Sequence, residues 1–461
     1  MNAATQSLPV LALVGRPNVG KSTLFNRFTG TRDALVADFA GLTRDRQYGF
    51  GNHHGRRFVV VDTGGLMPEA SDPLAALAES QARLAIEEAD RVLFLTDGRD
   101  GPMGSDHEIA QYLRRLGKPV QLVVNKTEGQ GRESTAEFHA FGLGEPLPIS
   151  AEHGHGVDAL LEQVLEGLAN PQVDAEAEAQ ADAAVLRVAV IGRPNAGKST
   201  LINRLIGEDR VLAADLPGTT RDSITVPFEY NGREYELIDT AGVRRRAKVH
   251  DVVEKFSVIK TLQAIERAHV VIAMVDARTQ IGTQDARLMG LAAERGRAMI
   301  VAVNKWDGLE EYARSETKRA LDTRLPFLDF VPVHTISALR GSGLRELMRE
   351  VGRVYAAAMC VMPTPQLNKV LEQAVARHAP PAVLGRRIKL RYAHQGGRNP
   401  PRVIIHGNQT QRLNASYRRY LINRFRDHFK LVGVPLALEF KNSDNPYVKD
   451  GGGKGGGSRS G

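Results

Sequence analysis

The chain has 461 residues, enough for about three ordinary domains. A hydrophobic fraction of 42% suits water-exposed globular cores, and no run approaches the roughly 18–20 apolar residues that span a bilayer. The single cysteine, Cys360, excludes an internal disulfide and fits a reducing compartment, so the expectation is a cytoplasmic protein. The net charge of +8 is uneven: from Cys360 onward there are 18 basic and 5 acidic residues, while the rest of the chain is net acidic. That asymmetry points to a polyanionic partner for the C-terminal part.

In chain order, Leu8–Val14 is apolar for seven residues and runs straight into a glycine-rich loop, which makes it a leading strand and not a signal peptide. The loop is GRPNVGKST, comprising Gly15, Arg16, Pro17, Asn18, Val19, Gly20, Lys21, Ser22 and Thr23, and it matches G-x-x-x-x-G-K-[ST]. Glycines at that spacing let the backbone wrap a polyphosphate, with N–H groups and a helix N-terminus aimed at its oxygens. Lys21 then reaches the β- and γ-phosphates, and Ser22 offers a hydroxyl to Mg²⁺. Thr43, in the polar stretch GLTRD, is placed to close over Mg²⁺ while a γ-phosphate is present and to release when it is lost.

Further strands are expected at Arg57–Val61, Val92–Thr96 and Val120–Val124. The first of these ends in Asp62, Thr63, Gly64 and Gly65, followed by Leu66. An acid there holds Mg²⁺, usually through water, and the glycine N–H senses the γ-phosphate. The last leads into Asn125, Lys126, Thr127 and Glu128, and later Ser150 and Ala151 close an ISA motif. In NKxD an acid accepts hydrogen bonds from the N1–H and N2–H₂ edge of guanine, a donor pair that adenine lacks.

Residues 171–184 carry four acidic residues and no basic ones. The stretch is too polar to bury and reads as a tether, either a mobile linker or a short exposed helix.

The whole train then recurs. Strands are expected at Arg187–Ile191, Glu234–Ile238, Val270–Val275 and Met299–Val303. The second loop, GRPNAGKST, supplies Gly192, Arg193, Pro194, Asn195, Ala196, Gly197, Lys198, Ser199 and Thr200. Thr220 lies in GTTRD; Asp239, Thr240, Ala241 and Gly242 precede Val243; Asn304, Lys305, Trp306 and Asp307 form NKWD; Ser337 and Ala338 close the second ISA. The two loops are 177 residues apart, as are GLTRD and GTTRD, and each loop stands 47 residues before its acid. Asn125 and Asn304 are 179 apart. A tandem duplication with small later insertions explains this register. Each copy, residues 1–170 and 185–358, is expected to form a doubly wound α/β sheet with its loop at the carboxyl end of a strand. Mg²⁺ falls to Ser22, Thr43 and Asp62 in one copy, and to Ser199, Thr220 and Asp239 in the other.

Arg244, Arg245 and Arg246 follow the second acid. They are either a solvated face or a contact that reports nucleotide state to RNA or to the C-terminal domain. Residues 359–445 read as helix Leu367–Val375, strands Arg387–Tyr392 and Arg402–His406, helix Ser416–Lys430 and strand Pro435–Phe440, a small α+β domain. In the second helix Tyr417, Tyr420, Leu421, Phe425 and Phe429 recur at helical spacing beside Arg418, Arg419, Arg424 and Arg426. The expectation is an apolar face on the small sheet and a basic face available to RNA phosphates, with a membrane surface as the alternative. Residues 446–461 form a glycine-rich basic tail, expected to be disordered.

The motif set resembles the TRAFAC-type GTPases, and the tandem arrangement resembles the Der/EngA family, bacterial GTPases with two Era-like G domains. The resemblance covers nearly the full chain. It implies a monomeric GTP hydrolase whose KH-like C-terminal domain is repositioned by nucleotide state, acting on the 50S subunit and its rRNA during assembly. The chain departs from a standard KH module, because no G-x-x-G loop joins helices and Gly396–Gly397 falls in the strand–strand connection. It departs from Ras-like enzymes too, since Leu66 and Val243 replace the Gln that orients water. The resemblance implies instead a K⁺ beside the phosphates, helped by Asn18 and Asn195, neutralising charge as an arginine finger does elsewhere. The local reading of these asparagines is loop stabilisation. Glu128 in place of Asp is either a tolerated variant or a relaxed base contact. Lys21 and Lys198 act electrostatically, and no general base is assigned. The rival function is a nucleotide-regulated scaffold with negligible hydrolysis.

Overall fold

The computed structural model describes residues 8–30, 47–64, 82–83, 85–128, 132–168, 185–208, 225–238, 258–279, 281–383 and 386–442. The chain divides into two compact units, Met1–Gly352 and Arg353–Gly461.

The first unit contains two sheets with one topology. In the first, β1 (Val10–Val14), β2 (Gln47–His53), β3 (Arg56–Asp62), β4 (Arg91–Asp97), β5 (Val120–Asn125) and β6 (Leu147–Pro148) lie in the order β2-β3-β1-β4-β5-β6. Its helices include α1 (Lys21–Thr29), α2 (Gly104–Leu116) and α3 (Val157–Leu165). In the second, β7 (Leu186–Gly192), β8 (Val226–Tyr230), β9 (Arg233–Ile238), β10 (Val270–Asp276), β11 (Ala298–Asn304) and β12 (Val333–Thr335) lie in the order β8-β9-β7-β10-β11-β12. Helices α4 (Lys198–Glu208), α5 (Val258–Arg267), α6 (Thr283–Glu294), α7 (Glu311–Arg324) and α8 (Leu344–Ala358) belong to that half.

Both sheets are parallel except at one edge, where β2 pairs with β3, and β8 with β9, in antiparallel register. These edge strands are additional to those expected from the apolar runs. β2 contains two glycines, and β8 has a proline at its second position, so neither shows the long apolar run of a central strand. The central strands do, because helices cover both of their faces. Along β1 the alternation is visible: Leu11 and Leu13 pack with Leu24, Phe25 and Leu160, while Val10, Ala12 and Val14 pack with Ile86, Ile109 and Leu113. The second cluster runs on without a break into the other sheet through residues such as Ile259 and Leu262.

The second unit is a three-stranded sheet of β15 (Lys389–Gly397), β16 (Arg402–Asn408) and β17 (Ala437–Asn442) with α9 (Thr364–Arg377) and α10 (Ala415–Phe429). β15 and β16 are antiparallel; β16 and β17 are parallel. The strand expected at Arg387–Tyr392 is divided. Arg386–Arg387 forms β14 and pairs with β13 (Ala382–Val383), and the sheet strand starts at Lys389. Gly396 and Gly397 lie inside β15, not in the connection after it. α10 starts where Asn414 Oδ1 accepts the Tyr417 N–H at 2.8 Å, and it buries Tyr417, Leu421 and Phe425 at a spacing of four.

Candidate active sites

The two phosphate-binding loops leave the carboxyl ends of β1 and β7 and run into α1 and α4. Gly20 and Gly197 have φ of 96° and 100°, and a Cβ on either would lie 2.2 and 2.1 Å from the amide nitrogen of Asn125 and Asn304. Only glycine fits there, on both conformational and steric grounds. The asparagine behind each glycine is itself fixed. Asn125 Nδ2 donates to Val19 O at 2.8 Å, and its Oδ1 accepts the Ala151 N–H at 2.8 Å. Asn304 repeats this with Ala196 O at 2.8 Å and the Ala338 N–H at 2.9 Å. One side chain thus ties the phosphate loop to the Ser150–Ala151 or Ser337–Ala338 loop.

The lysines close the loops on themselves. Lys21 Nζ donates to Gly15 O at 2.8 Å and Arg16 O at 2.7 Å; Lys198 Nζ donates to Gly192 O at 3.0 Å and Arg193 O at 2.8 Å. Burial pulls the Lys21 pKa down, against the opposing pull of Asp62. Ser22 Oγ donates to Asp62 Oδ2 at 3.0 Å, and the Gly64 N–H donates to Asp62 Oδ1 at 3.1 Å. Burial lifts the Asp62 carboxyl above its ordinary range despite these partners.

Asn18 and Asn195 occupy the exposed crest of each loop in left-handed backbone, at φ of 67° and 63°. Their carbonyls accept from Lys126 Nζ and Lys305 Nζ, each at 2.9 Å. Thr127 Oγ1 donates to Ile149 O at 2.9 Å, and the Trp306 N–H to Ile336 O at 3.2 Å. The Glu128 and Asp307 carboxyls sit alike: each is held below its ordinary range first by a hydrogen bond from Ser150 or Ser337. Each also pairs with an arginine, Glu128 with Arg99 and Asp307 with Arg340 at 3.0 Å.

The structure therefore brings together Gly15–Thr23, Asp62–Gly64, Asn125–Glu128 and Ser150–Ala151 in one site. In the other it joins Gly192–Thr200, Asn304–Asp307 and Ser337–Ala338. Thr43, Gly65, Leu66, Thr220, Asp239, Thr240, Ala241, Gly242 and Val243 lie outside the described residues, as do Arg244, Arg245 and Arg246. Of the C-terminal arginines, Arg418 is occupied: its guanidinium donates to Leu413 O and Gln411 O, both at 3.1 Å, and lies over Phe440. Arg419 is exposed, and Arg424 and Arg426 are half-buried.

Four acids that hold motif side chains in place lie outside the motifs themselves. Asp97 and Asp276 end β4 and β10 and take Lys126 Nζ and Lys305 Nζ at 2.6 Å. Asp106 and Asp285, in the first turns of α2 and α6, engage Arg16 at 3.5 Å and Arg193 at 2.8 Å. Both pairs are spaced 179 residues apart, the interval of Asn125 and Asn304, so the register of the repeat carried the signal.

Comparison with known proteins agrees with this geometry. The family described as "50S ribosome-binding GTPase" matches residues 10–126 and again 187–305. The family described as the KH-domain-like C-terminal region of EngA bacterial GTPase enzymes matches residues 362–441. GTPase Der of Thioalkalivibrio sulfidiphilus is 57% identical over 443 residues, covering 96% of this chain and 95% of the relative. The chain belongs to the Der/EngA family of GTPases. GTPase Der of Polynucleobacter asymbioticus is 54% identical, over 95% of this chain and 97% of its own. Among solved structures, Era of Aquifex aeolicus bound to GDP·AlF4⁻ is 22% identical over 72% of this chain and 93% of its own, with a TM-score of 0.32. This family member is accordingly a GTP-binding, GTP-hydrolysing protein with two G domains and a KH-like domain. No helix among the described residues is long and apolar enough to cross a membrane.

Proposed function

We propose that GTP at both sites switches this GTPase between states that differ in affinity for the 50S ribosomal subunit, and that its cytoplasmic role is in assembling or stabilising that subunit. The observation that carries this reading is the pairing of two near-identical nucleotide sites with a C-terminal region of net +13, the charge expected of an rRNA-contacting module. Site 1 consists of the residues from Gly15 to Thr23, Thr43, Asp62 to Leu66, Asn125 to Glu128, and Ser150 with Ala151. Site 2 consists of their counterparts 177–187 residues later. Arg244–Arg246 and the exposed face of α10 are the RNA contacts in this reading.

Mg²⁺ fits the first site. A hydroxyl and a buried carboxylate stand 3.0 Å apart at the loop's mouth, a pair of hard oxygen donors suited to that ion. Ser22 and Asp62 would hold it with Thr43, and Ser199, Thr220 and Asp239 at the second site; bound there it neutralises phosphate charge. Asn18 and Asn195 are our candidates to place K⁺, on the strength of their exposed position at the loop crest. Turnover should be several-fold faster in K⁺ than in Na⁺, and equal rates would remove K⁺ from the account.

The ribosomal reading is tested by gradient sedimentation with purified 50S subunits. Co-migration with a GTP analogue and not with GDP is expected. Absence in every nucleotide state overturns the ribosomal role while leaving GTP hydrolysis intact.

A further inference from the structure

The β2–β3 hairpin carries two adjacent imidazoles, His53 and His54, and faces Glu162 on α3. Donor atoms of the three residues lie within 4.8 Å of one another. They open onto a cleft of about 670 Å³ between the hairpin and α3. His53 is only 8% exposed, and its Nε2 is buried with no hydrogen-bond partner, while Nδ1 lies 4.0 Å from the exposed Asp158 carboxylate. A buried ring nitrogen without a partner is costly and calls for an explanation. His54 and Glu162 are exposed, and the two imidazole centroids stand 4.3 Å apart.

The hairpin is built at some conformational expense to hold this pair. His54 and Gly55 form its turn with φ of 49° and 83°, the left-handed pair that Asn-Gly fills best. The equivalent turn of the second G domain is Asn231–Gly232, at 51° and 75°. The first domain thus places an imidazole where its duplicate places the favoured asparagine. The hairpin is also locked onto the helix, because Arg56 Nη2 donates to Leu165 O and, at 3.2 Å, to Leu168 O.

The geometry points to a binding site for one divalent transition metal, with His53, His54 and Glu162 as its protein ligands. Two imidazoles and a carboxylate form a borderline donor set suited to Zn²⁺, Co²⁺ or Ni²⁺ and ill-matched to Mg²⁺ or Ca²⁺. Water completes the coordination from the cleft. Asp158 and Glu166 add negative charge at the rim. The site lies at the opposite end of β3 from Asp62, about 20 Å away by strand rise, so it does not share ligands with the nucleotide site. A metal here clips the end of β2 and its turn to α3, the helix that follows the Ser150–Ala151 loop.

The test uses the full-length, tag-free, nucleotide-free chain after treatment with chelator. Calorimetric titration with Zn²⁺ should show one saturable site per chain. His54→Asn, which installs the residue of the second hairpin and keeps the turn, should weaken that site at least tenfold, as should Glu162→Gln. GDP affinity should stay unchanged in both variants. Co²⁺ should give visible d–d bands without thiolate charge transfer. Equal Zn²⁺ affinity in wild type and both variants overturns the assignment, as does no saturable binding, or a Co²⁺ thiolate band implicating Cys360.

Discussion

The Arg57 guanidinium at the start of β3 donates to the Glu266 carboxylate near the end of α5, an ion pair between the two G domains. Glu266 is 7% exposed and also faces Arg297 at 3.5 Å and Arg295 at 4.0 Å. Arg295 in turn lies over the Phe50 ring, 3.0 Å from its centroid, and Gln263 Nε2 donates to Leu8 O at 3.4 Å. Burial pulls Arg295 down to about 9, still protonated at neutral pH. The duplicated sheets therefore meet through a buried charge cluster laid over shared apolar packing.

That cluster sets an acid sensitivity. Burial pushes the Glu266 carboxyl up, but Arg297, Arg57 and Arg295 together hold it below its ordinary range. A depressed carboxylate contributes stability that is fully present above the unfolded-state pKa, about 4.3, and is lost as pH falls through the folded value. Glu266→Gln should flatten that acid limb. At neutral pH it should cost about 3 kcal/mol, the low end for breaking a buried pair, because Arg57 is 39% exposed. Calorimetric unfolding between acidic and neutral pH checks both, and an unchanged acid limb would remove Glu266 from this role.

The Asn125 and Asn304 amides should matter because each ties the phosphate loop to a second loop. Each makes two hydrogen bonds between loops, and losing both is worth about 2 kcal/mol. Asn125→Ala should weaken GDP binding at the first site roughly 30-fold and spare the second. Asn304→Ala should do the reverse. Fluorescent-nucleotide titration of each variant measures this.

The matching environments of Glu128 and Asp307 favour retained guanine selection at the first site. Glu128→Asp should change the GTP-over-ATP preference less than threefold, whereas Glu128→Ala should collapse it. Competition binding to a chain disabled at the second site by Lys198→Ala distinguishes the two.

Much of the site was legible because the chemistry fixes spacing. A polyphosphate dictates where glycines, lysine and hydroxyl must stand along one continuous loop, so Gly15–Thr23 and Gly192–Thr200 declare themselves. Central strands such as Val120–Asn125 do so through unbroken apolar runs. Edge strands do not: β2 interleaves two glycines with Gln47, Asn52 and His53, so although mostly buried it has no apolar run to detect. Contacts between distant segments were also invisible. Lys126 with Asp97 was recoverable only from the repeat interval, and Arg57 with Glu266 had no repeat to betray it, since it joins the copies instead of recurring in each.

The second unit holds a surface that the arginine count of α10 did not suggest. On the sheet face opposite the buried Ala393 and Ile405, the Tyr392 and His406 rings stack at 4.4 Å with 5° between planes, and the His394 ring lies 5.2 Å from that of His406. Tyr392 is 46% exposed. Base stacking on such a ring is worth about 1–3 kcal/mol. Tyr392→Ala should weaken 50S association at least fivefold without changing GTP turnover, measured by sedimentation titration.

The most direct measurement is the affinity of the full chain for purified 50S subunits, taken with GTP analogue, with GDP, and with Lys21→Ala or Lys198→Ala disabling one site. Binding should be at least tenfold tighter with the analogue than with GDP, about 1.4 kcal/mol, and that preference should be lost in at least one lysine variant. Equal affinity in every nucleotide state would contradict it.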